Sequence, residues 1–201
     1  MNTTDEWIRE RTGILERRYV KKGVGPSDLA IPATEQALEA AGLSVEDIEL
    51  IIFATSTPDY YIPGSGCLLQ EKMGFNEIGA LDIRVQCSGF IYGISIAEQY
   101  IKAGSFNNIL LVGAEVQSTA MNLSDEGRDT AIIFGDGAGA AIIRSTGADR
   151  GILSTHMHTE GKYLKELWVE APASREGYPR ILPEHLAQGQ QYLKMNGKEV
   201  F

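Results

Sequence analysis

An α/β fold with helices on the faces of a parallel sheet is predicted by three observations. Short apolar runs alternate with amphipathic stretches of roughly 10–17 residues, the signature of βαβ crossovers. Those stretches carry their small and apolar residues at helical spacing, and glycines stand where they end. In chain order, residues 27–41 place Leu29, Ala30, Ala33, Ala37, Leu38 and Ala41 near one helical face, with Gly42 as the stop. The run Leu50-Ile51-Ile52-Phe53-Ala54 enters a polar, Pro-containing stretch at 55–59, as a strand buried on both faces would. A second helix is predicted over 65–73 and stops at Gly74, and a strand follows over 79–85. From Gln86-Cys87-Ser88-Gly89 a helix of small and apolar residues runs to about Ala103. Residues 108–114 form a further buried strand. Strands over 130–134 and 138–144 are expected around a tight turn at Gly135-Asp136-Gly137-Ala138-Gly139. Past Gly151 the pattern weakens under Pro172, Gly177, Pro179 and Pro183. Residues 1–150 are therefore read as the α/β domain and 151–201 as an excursion from it.

Composition narrows the function classes. The 201 residues suffice for one substantial core, and 43% hydrophobic with 22% charged residues is ordinary globular usage. Eighteen Lys+Arg against 27 Asp+Glu give a formal charge of −9, which argues against broad nucleic-acid or anionic-membrane binding. No apolar run reaches the ~18 residues of a membrane span. The opening Met1-Asn2-Thr3-Thr4-Asp5-Glu6 lacks the basic and apolar regions of a signal peptide, so a cytoplasmic protein is expected. Two cysteines, Cys67 and Cys87, are too few for a disulfide framework.

Cys87 is the chemical centre of interest. It falls where a strand meets a helix N-terminus, whose unpaired N–H groups and partial positive charge favour a thiolate and can donate to an oxyanion. By itself this context leaves nucleophile and buried filler equally open, whereas Cys67, within a helical pattern, reads as filler. The glycine-rich stretch at 135–139 is no dinucleotide site, because a strand-like run follows it where a helix N-terminus would be needed. His156 and His158 alternate on a predicted strand but have no third ligand in suitable spacing, so no metal site is expected. His185 carries no signal.

Four segments together resemble 3-oxoacyl-acyl carrier protein synthase III, a condensing-enzyme family with the thiolase-like fold. They are Thr4-Asp5-Glu6-Trp7-Ile8 with Arg11-Thr12-Gly13-Ile14, Cys87-Ser88-Gly89-Phe90, Ile132 through Ala140, and Ser154-Thr155-His156-Met157-His158. The resemblance implies the N-terminal half of a pseudo-duplicated βαβαβαββ architecture, without its leading strand and ending where the second half begins. It also implies a ping-pong reaction. Cys87 takes an acyl group from acyl-CoA as a thioester, and the carbanion from decarboxylating malonyl-acyl carrier protein then attacks it. Acyl-CoA is a substrate here, and no cofactor is implied.

In such enzymes a tryptophan and an arginine hold the coenzyme A adenine, and Trp7 and Arg128 match them; alone they would read as a surface anchor and a solvated charge. Arg11, Thr12 and Thr3 match the nucleotide rim, and Met195, Asn196 and Phe201 match the pantetheine tunnel and acyl pocket. Ile62 matches a position that reaches the partner's acyl pocket in a homodimer. The family's catalytic His and Asn have no matching motif in this sequence. A non-catalytic fragment or partner subunit is therefore the alternative reading, and an enzyme of specialised metabolism a further one. Related branches that use a first-half glutamate as base are disfavoured, since the 55–66 loop carries only Asp59.

Overall fold

The computed structural model describes residues 1–148, 151–176 and 179–200. They divide into two compact units, Val20–Val116 with Asp136–Met157, and Met1–Tyr19 with Gln117–Gly135 and His158–Phe201. Each is taken in turn.

The first unit is the sheet unit. Helix α2 (Pro26–Ala41) follows helix α1 (Asp5–Thr12), which belongs to the other unit. Proline sits at the first position of α2, where no N–H is needed, and Asp28 reaches back to the Gly25 N–H at 2.8 Å. Strand β1 (Leu50–Ala54) is buried throughout and has the bounds the apolar run predicts. Helix α3 (Ser65–Met73) closes on Gly74 in the left-handed conformation (φ 69°). Strand β2 (Gly79–Ile83), helix α4 (Gly89–Lys102), strand β3 (Asn108–Val116) and strand β4 (Asp136–Arg144) complete the unit.

The sheet order is β2-β1-β3-β4, with β1 parallel to both neighbours and β4 antiparallel to β3. One core, centred on Ile51, Phe53, Leu110 and Val112 with Leu38 and Leu69, fills one side. A second, of Ile52, Ile109, Leu111 and Ala97, fills the other. Adjacent strand residues thus point to opposite buried faces, which is why these strands read as unbroken apolar runs.

Three expectations are corrected. Residues 130–134 are not a strand: helix α5 (Arg128–Ala131) continues into helical turns, with the Ile132 N–H donating to Arg128 O and the Phe134 N–H to Thr130 O. A run of four apolar residues after Thr130 suits a buried helical turn as well as a strand, and length alone cannot choose between them. Nor is 135–139 a turn between strands, since Asp136 already pairs with Val116, and Gly137 and Gly139 lie within β4 opposite Glu115 and Gly113. The sheet is consequently mixed rather than wholly parallel. Residues 152–160, including His156 and His158, carry no strand; Leu153 is 93% exposed, so no buried alternate positions anchor the segment in a ladder.

The second unit opens with α1, which has no counterpart in the sequence reading. Thr4 caps it, its Oγ1 accepting from the Trp7 N–H (3.1 Å), and Gly13 ends it at φ 71° with its N–H donating to Arg9 O. After α5 come strand β5 (Leu167–Trp168), helix α6 (Pro183–Ala187), strand β6 (Lys194–Met195), antiparallel to β5, and helix α7 (Gly197–Val200). Among the described residues no helix is long and apolar enough to cross a membrane.

Candidate active site

Cys87 lies in a short 3-10 turn (Gln86–Ser88) between the end of β2 and the start of α4. That turn separates it from the first residue of α4. The Ser88 N–H donates to Val85 O and the Gly89 N–H to Gln86 O, closing the turn. Cys87 thus stands two residues before the start of α4, at the end of the helix that carries partial positive charge. Gln86 adopts φ 46°, a conformation a non-glycine residue rarely takes and one that stores strain beside functional groups. Cys87 is exposed. The expectation of a buried strand leading into it is corrected, because β2 is an outer strand of the sheet and much of it faces solvent.

What holds this turn in place is the close approach of α4 to the sheet. A Cβ on Gly89 would lie 2.9 Å from Ala54 Cβ, and one on Gly93 would lie 2.3 Å from Leu111 Cδ1. Phe90 in turn presses on Gly113. Glycine at 89 and 93 lets the helix backbone sit close against the side chains of Ala54 in β1 and Leu111 in β3. Cys67, expected to be buried filler, is half-buried in α3, its thiol donating to Gly64 O (3.0 Å).

In the other unit, Trp7 and Arg128 come together. The Arg128 guanidinium carbon is 5.5 Å from the Trp7 ring centroid and that of Arg11 is 5.6 Å away, so two planar cations attend one indole. Trp7 is 36% exposed, which leaves part of its ring open to a ligand. Arg128 is set by neighbours on both sides. Its Nη1 donates to Asn2 O (3.3 Å), and its Nε and Nη2 to Asp129 Oδ1 (3.4 Å each). Asp125 accepts from the Asn2 N–H (2.6 Å), and that contact, with the nearby terminal amine and Arg128, holds its carboxyl below the ordinary range.

Thr12 Oγ1 donates to Ile8 O (2.7 Å) and accepts from the Ile14 N–H (3.1 Å), so it stabilises the end of α1. Thr3 Oγ1 is buried with no hydrogen-bond partner among the described residues. Met195 lines a cavity of about 510 Å³ together with Asn122, Gly127, Asp129 and Tyr192, beside the segment that carries Arg128. Asn196 is tied to Glu166 through both its backbone N–H and its side chain, at 2.8 Å each. Ile62 projects from the loop after β1, 85% exposed. Phe201 lies outside the described residues. Among them no group of three or more His, Cys, Asp or Glu side chains is placed to hold a metal ion.

Two residues escaped the sequence reading. Gln86 is one, since nothing in its residue type announces a positive φ. Glu115 is the other: at the end of β3 it accepts from the Ser56 N–H (2.7 Å), Ser56 Oγ (3.0 Å) and Thr57 Oγ1 (2.5 Å). Its polarity at the end of an apolar strand was the available signal.

The chain is similar to a group of known proteins. Residues 81–161, which include Cys87, match the family model described as 3-oxoacyl-[acyl-carrier-protein (ACP)] synthase III. The chain is 46% identical over 201 residues to the beta-ketoacyl-[acyl-carrier-protein] synthase III of Clostridioides difficile, covering all of this chain and 60% of that protein. It is 44% identical over 202 residues to the protein of that name from Methylococcus capsulatus, covering 59% of it. The crystal structure of 3-oxoacyl-[acyl-carrier-protein] synthase III from Aquifex aeolicus superposes with a TM-score of 0.85 at 37% identity, over 99% of this chain and 58% of that one. The priming beta-ketosynthase of the R1128 polyketide pathway superposes at 0.82 and 27% identity, over 99% and 57%. The fold is thus the thiolase-like α/β fold of these enzymes, and the chain spans about 60% of the length of the curated relatives it matches.

Proposed function

We propose that the chain is a member of the 3-oxoacyl-[acyl-carrier-protein] synthase III family, which its 46% identity to a relative of that name supports, and that it is the acyl-accepting part of a condensing enzyme that starts fatty-acid synthesis. The Cys87 thiolate attacks the carbonyl carbon of an acyl-CoA thioester. The bond from that carbon to the coenzyme A sulfur breaks, the coenzyme A thiolate leaves and takes up a proton, and the acyl group remains on Sγ. Loss of CO₂ from malonyl-acyl carrier protein then yields a carbanion that attacks the same carbonyl, expelling the Cys87 thiolate and releasing 3-oxoacyl-acyl carrier protein. A thiolate serves both steps because it is a good nucleophile and a good leaving group.

The observation that carries this reading is the placement of Cys87 on a strained turn at the positive end of a fourteen-residue helix packed directly on the sheet. Trp7, Arg128 and Arg11 supply flat surfaces for a purine and positive charge for the nucleotide phosphates, with Thr3 and Thr12 at the rim. Met195 and Asn196 line the path of the pantetheine arm and acyl chain. Ile62 bounds the acyl pocket of a second subunit in a cytoplasmic homodimer. No cofactor takes part. The identities of 46% and 44% to enzymes named for this reaction favour it over the polyketide-priming variant, to which the likeness is 27%.

The test is transfer of radiolabelled acetyl from acetyl-CoA to the full-length protein and to its Cys87→Ala variant. One label per wild-type subunit and none on the variant is expected. A wild type that takes up no label, or a variant labelled as well as wild type, overturns the reading.

A further inference from the structure

We propose that Asp129 is a positioning residue that holds the edge of the Arg128 guanidinium, so that Arg128 reads the base of coenzyme A and not its 3′-phosphate; the inference rests on the nucleotide site proposed above.

A guanidinium can serve a nucleotide in two ways. Its N–H groups lie in its plane and point outward from its edge, where they grip phosphate oxygens two at a time. Its faces carry no N–H and stack on flat rings. Which of the two an arginine offers depends on what already holds its edge.

The edge of Arg128 is taken. Nε and Nη2 both donate to Asp129 Oδ1 (3.4 Å each) and Nη1 donates to Asn2 O (3.3 Å), so each of the three nitrogens has an acceptor within the same unit. The Asn2 peptide is itself held, because its N–H donates to Asp125 Oδ1 (2.6 Å). With its edge fixed in this way, the guanidinium carbon lies over the Trp7 ring, 5.5 Å from the centroid. A phosphate seeking the edge has to displace a carboxylate and meets its like charge. A purine seeking the face meets neither obstacle.

Two comparisons single out Asp129. Arg11 lies as near the ring (5.6 Å), yet its side chain forms no ion pair or hydrogen bond among the described residues, so the two cations at one indole differ in what they can still bind. Glu126, three residues before Asp129, carries the same charge but accepts from Ser124 Oγ (3.0 Å) and leaves Arg128 alone. An acid in the first turn of a helix is ordinary, and Asp129 is largely exposed. What distinguishes it is the single oxygen it offers to two nitrogens of the residue beside it.

The test is calorimetric titration of the full-length protein with coenzyme A and with 3′-dephospho-coenzyme A, read as the ratio of the two Kd values. Arg128→Gln should weaken both ligands alike and keep the ratio within about twofold of wild type, because it removes a contact with the base. Asp129→Asn keeps the shape of the side chain and removes its charge. It frees the edge of Arg128 and should raise the preference for coenzyme A by roughly three- to tenfold, the size expected of an exposed charge pair with a doubly charged partner. That gain should vanish when Arg128→Gln is added to Asp129→Asn, and Glu126→Gln should keep the ratio within about twofold of wild type. A ratio unmoved by Asp129→Asn, an equal shift in Glu126→Gln, or an Arg128→Gln variant that loses affinity for coenzyme A alone overturns the proposal. Should Asp129→Asn not fold, Arg128→Gln still decides. Wild-type protein that binds neither ligand overturns the nucleotide site itself, an outcome distinct from binding with unmoved ratios.

Discussion

Gly89 and Ala54 meet where helix α4 crosses the end of strand β1, so closely that a Cβ on Gly89 would sit 2.9 Å from that of Ala54. The thiol two residues before Gly89 owes its position to this contact. Gly89→Ala should therefore lower stability by about 1–3 kcal/mol through overpacking, more than the ~0.5–1 kcal/mol that alanine returns in helix propensity. Thermal melts should show the lower Tm, and Cys87 acylation should slow in the same variant. A variant as stable and as readily acylated as wild type would mean that the contact does not set the turn.

The positive φ of Gln86 gives a second, separable prediction. Gln86→Gly, which adopts φ 46° without penalty, should retain wild-type stability or gain up to about 1 kcal/mol. Gln86→Ile should lose about 1–3 kcal/mol, because a β-branched residue tolerates that conformation poorly. Paired urea denaturation curves measure both, and equal stability of the two variants would remove strain from the account.

For the proposed nucleotide site, Arg128→Ala and Trp7→Ala should each raise KM for acetyl-CoA by roughly 5–30-fold, as expected for losing a stacked or cation–π contact of ~1–2 kcal/mol. They should leave KM for acetyl-pantetheine, which lacks the nucleotide, within about twofold. Gly127→Ala should be the more severe change, because a Cβ there would come 1.9 Å from the backbone oxygen of Asn122 and must displace the segment carrying Arg128.

Acid should destabilise the sheet unit through carboxylates that include Glu49 and Asp28. The Asn107 and Asn108 N–H groups hold Glu49 below its ordinary value of 4.5. Burial pushes Asp28 upward, but the Gly25 N–H and the Lys72 ammonium outweigh it and leave it below 3.8. A carboxylate with a depressed folded-state pKa contributes stability above its unfolded value and loses it as pH falls through the folded value. Denaturation midpoints should thus be flat near neutrality and decline below about pH 4.5, and Glu49→Gln should flatten part of that decline. A Glu49→Gln profile parallel to wild type would exclude Glu49 as a source.

How much of this was legible in the sequence depended on where each residue finds its partner. β1 and α3 could be read to the residue, because an unbroken apolar run and a left-handed glycine stop are local signals. α1 could not, since it buries only Ile8 and offers no apolar stripe, although Thr4, Asp5, Glu6 and Gly13 spell its caps. Residues 130–134 misled because their apolar character reports burial and is silent about backbone geometry. Cys87 stood out through its neighbours in sequence. Glu115 did not, since its partners Ser56 and Thr57 lie 59 and 58 residues away and only the sheet brings them together.

The Trp7 indole already has company: Arg128, steadied by Asn2 and Asp129, occupies its surroundings in the free protein. Under the proposed function, a purine that binds at Trp7 meets a ring already attended by two guanidinium groups. Its affinity would then depend on how Arg128 is held, so substitutions at Asn2 or Asp129 that loosen that guanidinium should alter nucleotide binding without touching the nucleotide.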